Sequence, residues 1–104
     1  MSDSPRLIFI SGMAAGLTPG DTFPLAAVET VLGRSPTCDI PVASPTVSRH
    51  HARITRQGDD FILDDLGSTL GVSVNGVSLG KNTHRLAPGE QIRLGRDAIF
   101  EFQV

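Results

Sequence analysis

The sequence is short of several things, and each shortage removes a class of function. Cys38 is the only cysteine in 104 residues, so no internal disulfide forms and no cysteine-rich metal site exists. A single cysteine also suits a reducing compartment. The opening Met1-Ser2-Asp3-Ser4-Pro5-Arg6 is polar and leads into a short apolar stretch, Leu7 to Ile10. A secretory signal needs a longer one, and a membrane helix needs about 20 apolar residues. The reading is therefore cytoplasmic, with no membrane partner, for a chain that could equally be one module of something larger. Basic surplus is absent too: 9 Lys and Arg against 11 Asp and Glu give a net charge of −2. Displacing counterions from a nucleic-acid backbone takes clustered positive charge, so nucleic acid is not expected as a partner.

What is present is the composition of one folded domain. Apolar residues make up 39%, charged residues 19%, and a disordered chain would carry far less of the first. Eleven glycines and seven prolines are spread throughout, leaving no window long enough for an amphipathic helix. Between them lie eleven short β-favouring runs: Leu7–Ser11, Thr22–Leu25, Thr30–Gly33, Asp39–Val42, Ala52–Arg56, Phe61–Asp64, Val72–Val74, Val77–Leu79, His84–Leu86, Gln91–Leu94 and Ala98–Gln103. Short strands punctuated by turn residues predict a sandwich or barrel. Residues 1–6 are expected to be a flexible N-terminus ahead of one domain over 7–104.

Alternation agrees where the runs are long enough to test. Ala52 and Ile54 should face inward, with His51, Arg53 and Thr55 outward. Ala98, Phe100 and Phe102 repeat the pattern, with Glu101 and Gln103 outward. Asn75-Gly76 is a strong hairpin signal, because both residues tolerate positive φ. Gln57-Gly58-Asp59-Asp60 and Ala87-Pro88-Gly89-Glu90 read as further turns.

Three segments resist a strand reading: Gly33–Thr37, Ala43–His51 and Asp65–Gly71. Together they hold two arginines, several hydroxyls and glycine-rich backbone, an inventory of donors for an oxyanion. Other chemistries fit less well. Ser48 with His51, and Asp64 or Asp65 as a third member, suggests a hydrolytic triad, but no Gly-x-Ser-x-Gly elbow is present. Adjacent His50 and His51 on a strand point to opposite faces, so they do not share an ion with His84 and Cys38. Gly12 to Gly16 lacks the lysine and the helix of a nucleotide loop. No catalytic residue, metal or cofactor is expected.

The order of these segments resembles the forkhead-associated (FHA) domain family, which binds phosphothreonine peptides. The carriers are Leu32-Gly33-Arg34-Ser35, Cys38-Asp39-Ile40, Val47-Ser48-Arg49-His50-His51-Ala52, Asp65-Leu66-Gly67-Ser68-Thr69, Gly71 and Val74-Asn75-Gly76. The resemblance runs from about Ile8 to Phe102. It implies an all-β fold, an eleven-stranded sandwich of two twisted sheets, with the binding loops at one end. By position it makes Arg34, Ser48, Arg49, Thr69 and Leu70 the phosphopeptide-binding set, and Gly33, His51, Gly71 and Asn75 the residues that hold the loops in shape. Leu70 departs from the pattern, which has an asparagine there that bonds the peptide backbone. Leucine has no polar atom for that bond, which should weaken a peptide by roughly 1–3 kcal/mol. Val72 and Ser73 also stand where threonine and an aromatic are common. The implied partner is a phosphothreonine protein or peptide, bound by a monomer. A phosphate-independent or self-associating scaffold, and a regulatory fragment of a larger enzyme, remain open alternatives.

Overall fold

The computed structural model describes residues 4–104 and holds eleven β-strands. In chain order these are β1 Arg6–Ser11, β2 Thr22–Pro24, β3 Glu29–Gly33, β4 Ile40–Pro41, β5 Ala52–Gln57, β6 Asp60–Asp65, β7 Val72–Val74, β8 Val77–Ser78, β9 His84–Arg85, β10 Gln91–Leu94 and β11 Ala98–Gln103. Each falls on one of the expected runs. They form a six-stranded sheet in the order β2-β1-β11-β10-β7-β8 and a five-stranded sheet in the order β4-β3-β5-β6-β9. No helix among the described residues is long and apolar enough to cross a membrane.

The period-two patterns place the core between the sheets. Leu7 and Phe9 on β1, and Ala98, Phe100 and Phe102 on β11, are all buried. They meet Ile54, Leu63 and Phe61 from the other sheet. Phe9 and Phe100 meet edge to face with ring centres 5.3 Å apart, and Phe61 and Phe102 meet at a tilt at 5.5 Å. Of the six N-terminal residues expected to be flexible, Met1 to Asp3 lie outside the described residues. Arg6 opens β1 opposite Gln103 and Pro24, one residue before the run read from the sequence.

Turn chemistry fixes the register. Asn75 (φ 48°) and Gly76 (φ 83°) close the β7–β8 hairpin as a tight left-handed pair. Asn75 also exchanges two bonds with Gln91: its N–H donates to the Gln91 carbonyl, and its Oδ1 accepts the Gln91 N–H, both at 2.8 Å. It therefore pins the hairpin to the start of β10.

One expected face is corrected. Arg53 and Thr55 are partly exposed as alternation requires, but His51 is fully buried. It stands just ahead of β5, where loops fold over the outer side of the sheet, and alternation along a strand carries no information about what covers it.

The turn before β10 carries a pH dependence. Glu90 Oε1 accepts the Ala87 N–H at 2.6 Å and bonds His84 Nε2 at 2.9 Å. Burial pushes the Glu90 carboxyl up, but the Ala87 and His84 bonds outweigh it and hold the group below its ordinary value. A carboxylate lowered on folding stabilises fully above its unfolded pKa, about 4.3, and loses that stabilisation as pH falls through the folded value. Urea midpoints measured from pH 7 down to 3 should therefore fall less steeply in Glu90→Gln than in the parent.

Candidate functional site

The candidate site forms where three loops meet at one end of the sandwich. The first leaves β3 at Gly33 and doubles back on itself, because β4 runs parallel to β3 with Leu32 opposite Ile40. The Ser35 carbonyl accepts the Cys38 N–H, and Asp39 Oδ2 reaches back to the Val31 N–H at 2.8 Å. This fold-back projects Arg34 outward. Gly33 sits so close to the Arg49 carbonyl that a Cβ there would overlap it. Any side chain at 33 would push apart the two loops that carry the arginines.

The second loop, 43–51, is stitched to the first. Arg34 N–H donates to the Ser48 carbonyl (2.9 Å), and Ser35 N–H to the Arg49 carbonyl (3.1 Å). The third loop, 66–71, is shaped from within by Asp65. Its carboxylate accepts the Ser68 N–H (2.7 Å) and hydroxyl (2.9 Å), and Ser68 Oγ in turn accepts the Gly71 N–H (3.0 Å).

His51 joins the second loop to the third. Its Nδ1 accepts the Ser48 N–H at 2.9 Å, and its Nε2 lies 2.7 Å from the Gly71 carbonyl. Only the neutral Nε2–H tautomer satisfies both contacts. Ser48 Oγ completes the link by accepting the Thr69 N–H at 3.1 Å, which leaves its own proton free to donate.

All five residues expected to bind are thereby brought together. Arg34, Ser48, Arg49, Thr69 and Leu70 line one cavity of about 410 Å³, completed by Pro45, Thr46 and Val47. Arg34 and Arg49 are exposed, and neither pairs with a carboxylate among the described residues. Both also line an adjoining cavity of about 450 Å³ with His50. The arrangement offers two guanidinium forks and two hydroxyls to one small region, and chemically it can hold an oxyanion. Among the loop-shaping residues, Gly33, His51 and Gly71 make contacts inside the loop cluster, whereas Asn75 acts at the β7–β8 hairpin.

The geometry also disposes of the triad. His51 faces the Ser48 backbone rather than its hydroxyl, with both ring nitrogens committed, and Asp65 is occupied by Ser68. Cys38 is buried against the Arg49 carbonyl (Sγ to O 3.2 Å), and burial, chiefly, pushes its thiol pKa up. Among the described residues no cluster of three or more His, Cys, Asp or Glu could hold a metal ion.

Sequence reasoning missed the parts played by Thr46, Asp65 and Ser68. An aspartate three residues before a serine across a glycine is a readable turn signal. Thr46 had none, since its position depends on residues distant in the chain.

Residues 30–95 match the family model described as the FHA domain. The chain belongs to the FHA-domain family. Among curated relatives, it is 38% identical over 81 residues to the oxoglutarate dehydrogenase inhibitor of Corynebacterium jeikeium, covering 78% of this chain and 55% of that protein. It is 36% identical over 88 residues to the transcriptional regulatory protein EmbR of Mycobacterium tuberculosis, covering 85% and 22%. The FHA domain thus spans about half the length of the first and under a quarter of the second. A structure from work on phosphothreonine-dependent FHA domain interactions superposes with a TM-score of 0.83 at 28% identity, over 98% of this chain and 97% of that one. EmbR of Mycobacterium tuberculosis, solved in complex with a low affinity phosphopeptide, gives 0.83 at 34% identity over 97% and 24%.

Because His51 holds two loops at once, its removal should cost far more than that of an exposed neighbour. His51→Ala leaves the Ser48 N–H and Gly71 carbonyl unpaired around a void, and should destabilise by about 3–4 kcal/mol. Arg53→Ala, which removes the partly exposed pair with Asp64 (2.7 Å), should cost about 1 kcal/mol or less. Denaturant unfolding of the two variants checks the contrast.

Proposed function

We propose that this FHA domain is a non-enzymatic module that recognises phosphothreonine in a partner protein, in signalling that runs downstream of a Ser/Thr kinase. The observation that carries the reading is the convergence of Arg34, Ser48, Arg49 and Thr69 on one cavity, with neither arginine in an ion pair and the Ser48 proton uncommitted among the described residues. Phosphothreonine presents about −1.5 to −2 charge and three strong acceptor oxygens, a match for that donor set. Net hydrogen bonds to a charged group contribute roughly 1.5–3 kcal/mol each. Two or three of them, with modest side-chain contact, reach about 8 kcal/mol, which is micromolar binding. The FHA relatives studied with phosphopeptides support the same reading. We take the module to be cytoplasmic, in keeping with a sequence whose single cysteine forms no internal disulfide.

Isothermal titration of a phosphothreonine peptide library and its unphosphorylated twin tests this. Only the phosphorylated library should bind, and Arg34→Ala should weaken it at least about thirtyfold, the equivalent of a lost buried charge contact. Equal binding of both libraries would favour instead a phosphate-independent contact through Leu70, which is 46% exposed at the cavity rim. Leu70→Asn should tighten the phosphopeptide by about ten- to a hundredfold by restoring a bond to the peptide backbone. Unchanged or weaker binding would make leucine itself a contact residue.

A further inference from the structure

The outer face of the six-stranded sheet carries a second group of polar side chains beside the anion cavity. Strand register puts Ser73 opposite Ser78 on one side and opposite Arg93 on the other. Here Leu70, Gly71, Ser73, Ser78, Arg93 and Gly95 enclose a cavity of about 180 Å³. Ser73 is only 5% exposed, and its Oγ is the one buried side-chain polar atom among the described residues with no hydrogen-bond partner. Native proteins pair such groups almost without exception, so an orphan hydroxyl at a cavity wall calls for an explanation.

Arg93 is also without an ion pair among the described residues. A nearby carboxylate on this face, that of Glu101, is engaged by Gln91 and Gln103 instead. The small cavity is therefore walled by a guanidinium without an ion pair among the described residues, an unpaired buried hydroxyl and the apolar Leu70.

It adjoins the anion cavity at two points. Leu70 lines both. Thr46, a wall of the anion cavity, packs against Gly95 so closely that a Cβ at 95 would overlap the Thr46 carbonyl. Gly95 N–H in turn donates to the Gly71 carbonyl at 3.2 Å.

We infer that this cavity is a second recognition subsite, which takes a carboxylate side chain, Asp or Glu, of the same peptide whose phosphothreonine meets Arg34. The inference rests on the proposed function and adds to it a preferred residue class. The carboxylate oxygens accept from the Arg93 fork and the Ser73 hydroxyl, while the side-chain methylenes lie on Leu70. Ser73 Oγ is closed from solvent in the free protein, so the ligand reaches it only if a cavity wall shifts, and the Arg93 side chain is the longest of those walls. An orphan hydroxyl kept for a ligand weakens the free fold slightly, a recurrent trade at binding sites.

The test is a set of phosphothreonine peptides in which each flanking position is scanned through Glu, Asp, Gln and Ala. Affinities are measured for the parent domain, Arg93→Gln and Ser73→Ala. One flanking position should favour Glu or Asp over Gln by about tenfold, the range of one partly exposed charge-assisted pair. That preference should shrink to about twofold or less in Arg93→Gln and fall partway in Ser73→Ala, with phosphate dependence kept in both. Ser73→Ala should unfold at an unchanged or higher midpoint, which separates lost recognition from lost folding. Phosphate-dependent binding with no acidic preference at any position, or a preference that survives Arg93→Gln, overturns the subsite and leaves the phosphothreonine reading standing. Absence of phosphate-dependent binding in the parent domain overturns both.

Discussion

The apical surface depends on one buried imidazole. His51 has no solvent to bond with, so its two ring nitrogens must find protein partners, and both partners are backbone groups of the loops that form the site. The Ser48 N–H lies on one loop and the Gly71 carbonyl on the next. The contact does more than stitch two strands of chain. The Ser48 carbonyl also receives the Arg34 N–H, and the Gly71 carbonyl also receives the Gly95 N–H. Four segments, from β3, the loop before β5, the loop after β6 and the turn after β10, are thus referred to one side chain. Displacing it would remove the imidazole bridge between the second and third loops and leave them joined through the Thr69 N–H to Ser48 Oγ bond.

Such a network matters because irregular loops are the part of a fold least able to hold a fixed shape by burial. A phosphate presents oxygens in a rigid tetrahedral array. Donors that had to be gathered at the moment of binding would charge their ordering entropy against affinity. Here the Ser48 hydroxyl is oriented in advance by the Thr69 N–H, and the Thr69 backbone is fixed by the same contact. Arg34 and Arg49 are different: their backbones are tied while their side chains stay exposed. With a net charge of −2 the protein offers no general attraction for anions, so recognition has to come from this local arrangement.

Much of this was legible in the sequence, for identifiable reasons. Strands such as Ala52–Gln57 and Ala98–Gln103 are half-buried, so they display a period of two, and their ends carry glycine or asparagine at positions that need positive φ. The residues that line the anion cavity were legible through motif order. The misreading of His51 shows where such reasoning stops: alternation assigns a residue to a face of its sheet, whereas burial of that face depends on loops elsewhere in the chain. Asp39 was read into a strand but lies one residue before β4, where its carboxylate accepts the Val31 N–H. Thr46 was invisible because its neighbour is Gly95, and nothing in the local sequence links them. The orphan Ser73 hydroxyl was invisible for the same reason, since a missing partner is a property of packing.

Leu70 stands at the junction of the two cavities. In the FHA pattern its position carries a side chain that grips the peptide main chain, a contact indifferent to the peptide's own side chains. Leucine forgoes that contact and places an apolar surface between two cavities, one rich in donors for a phosphate and one holding Arg93 and Ser73. On the proposed reading, a peptide crossing it is held at its phosphate and at whichever side chain reaches beyond the leucine. Exchanging a backbone bond for a side-chain contact lowers affinity for phosphothreonine peptides in general and raises the difference between one peptide and another. On that reading, the leucine that gives up the main-chain bond is also the residue that makes sequence selectivity carry more of the binding.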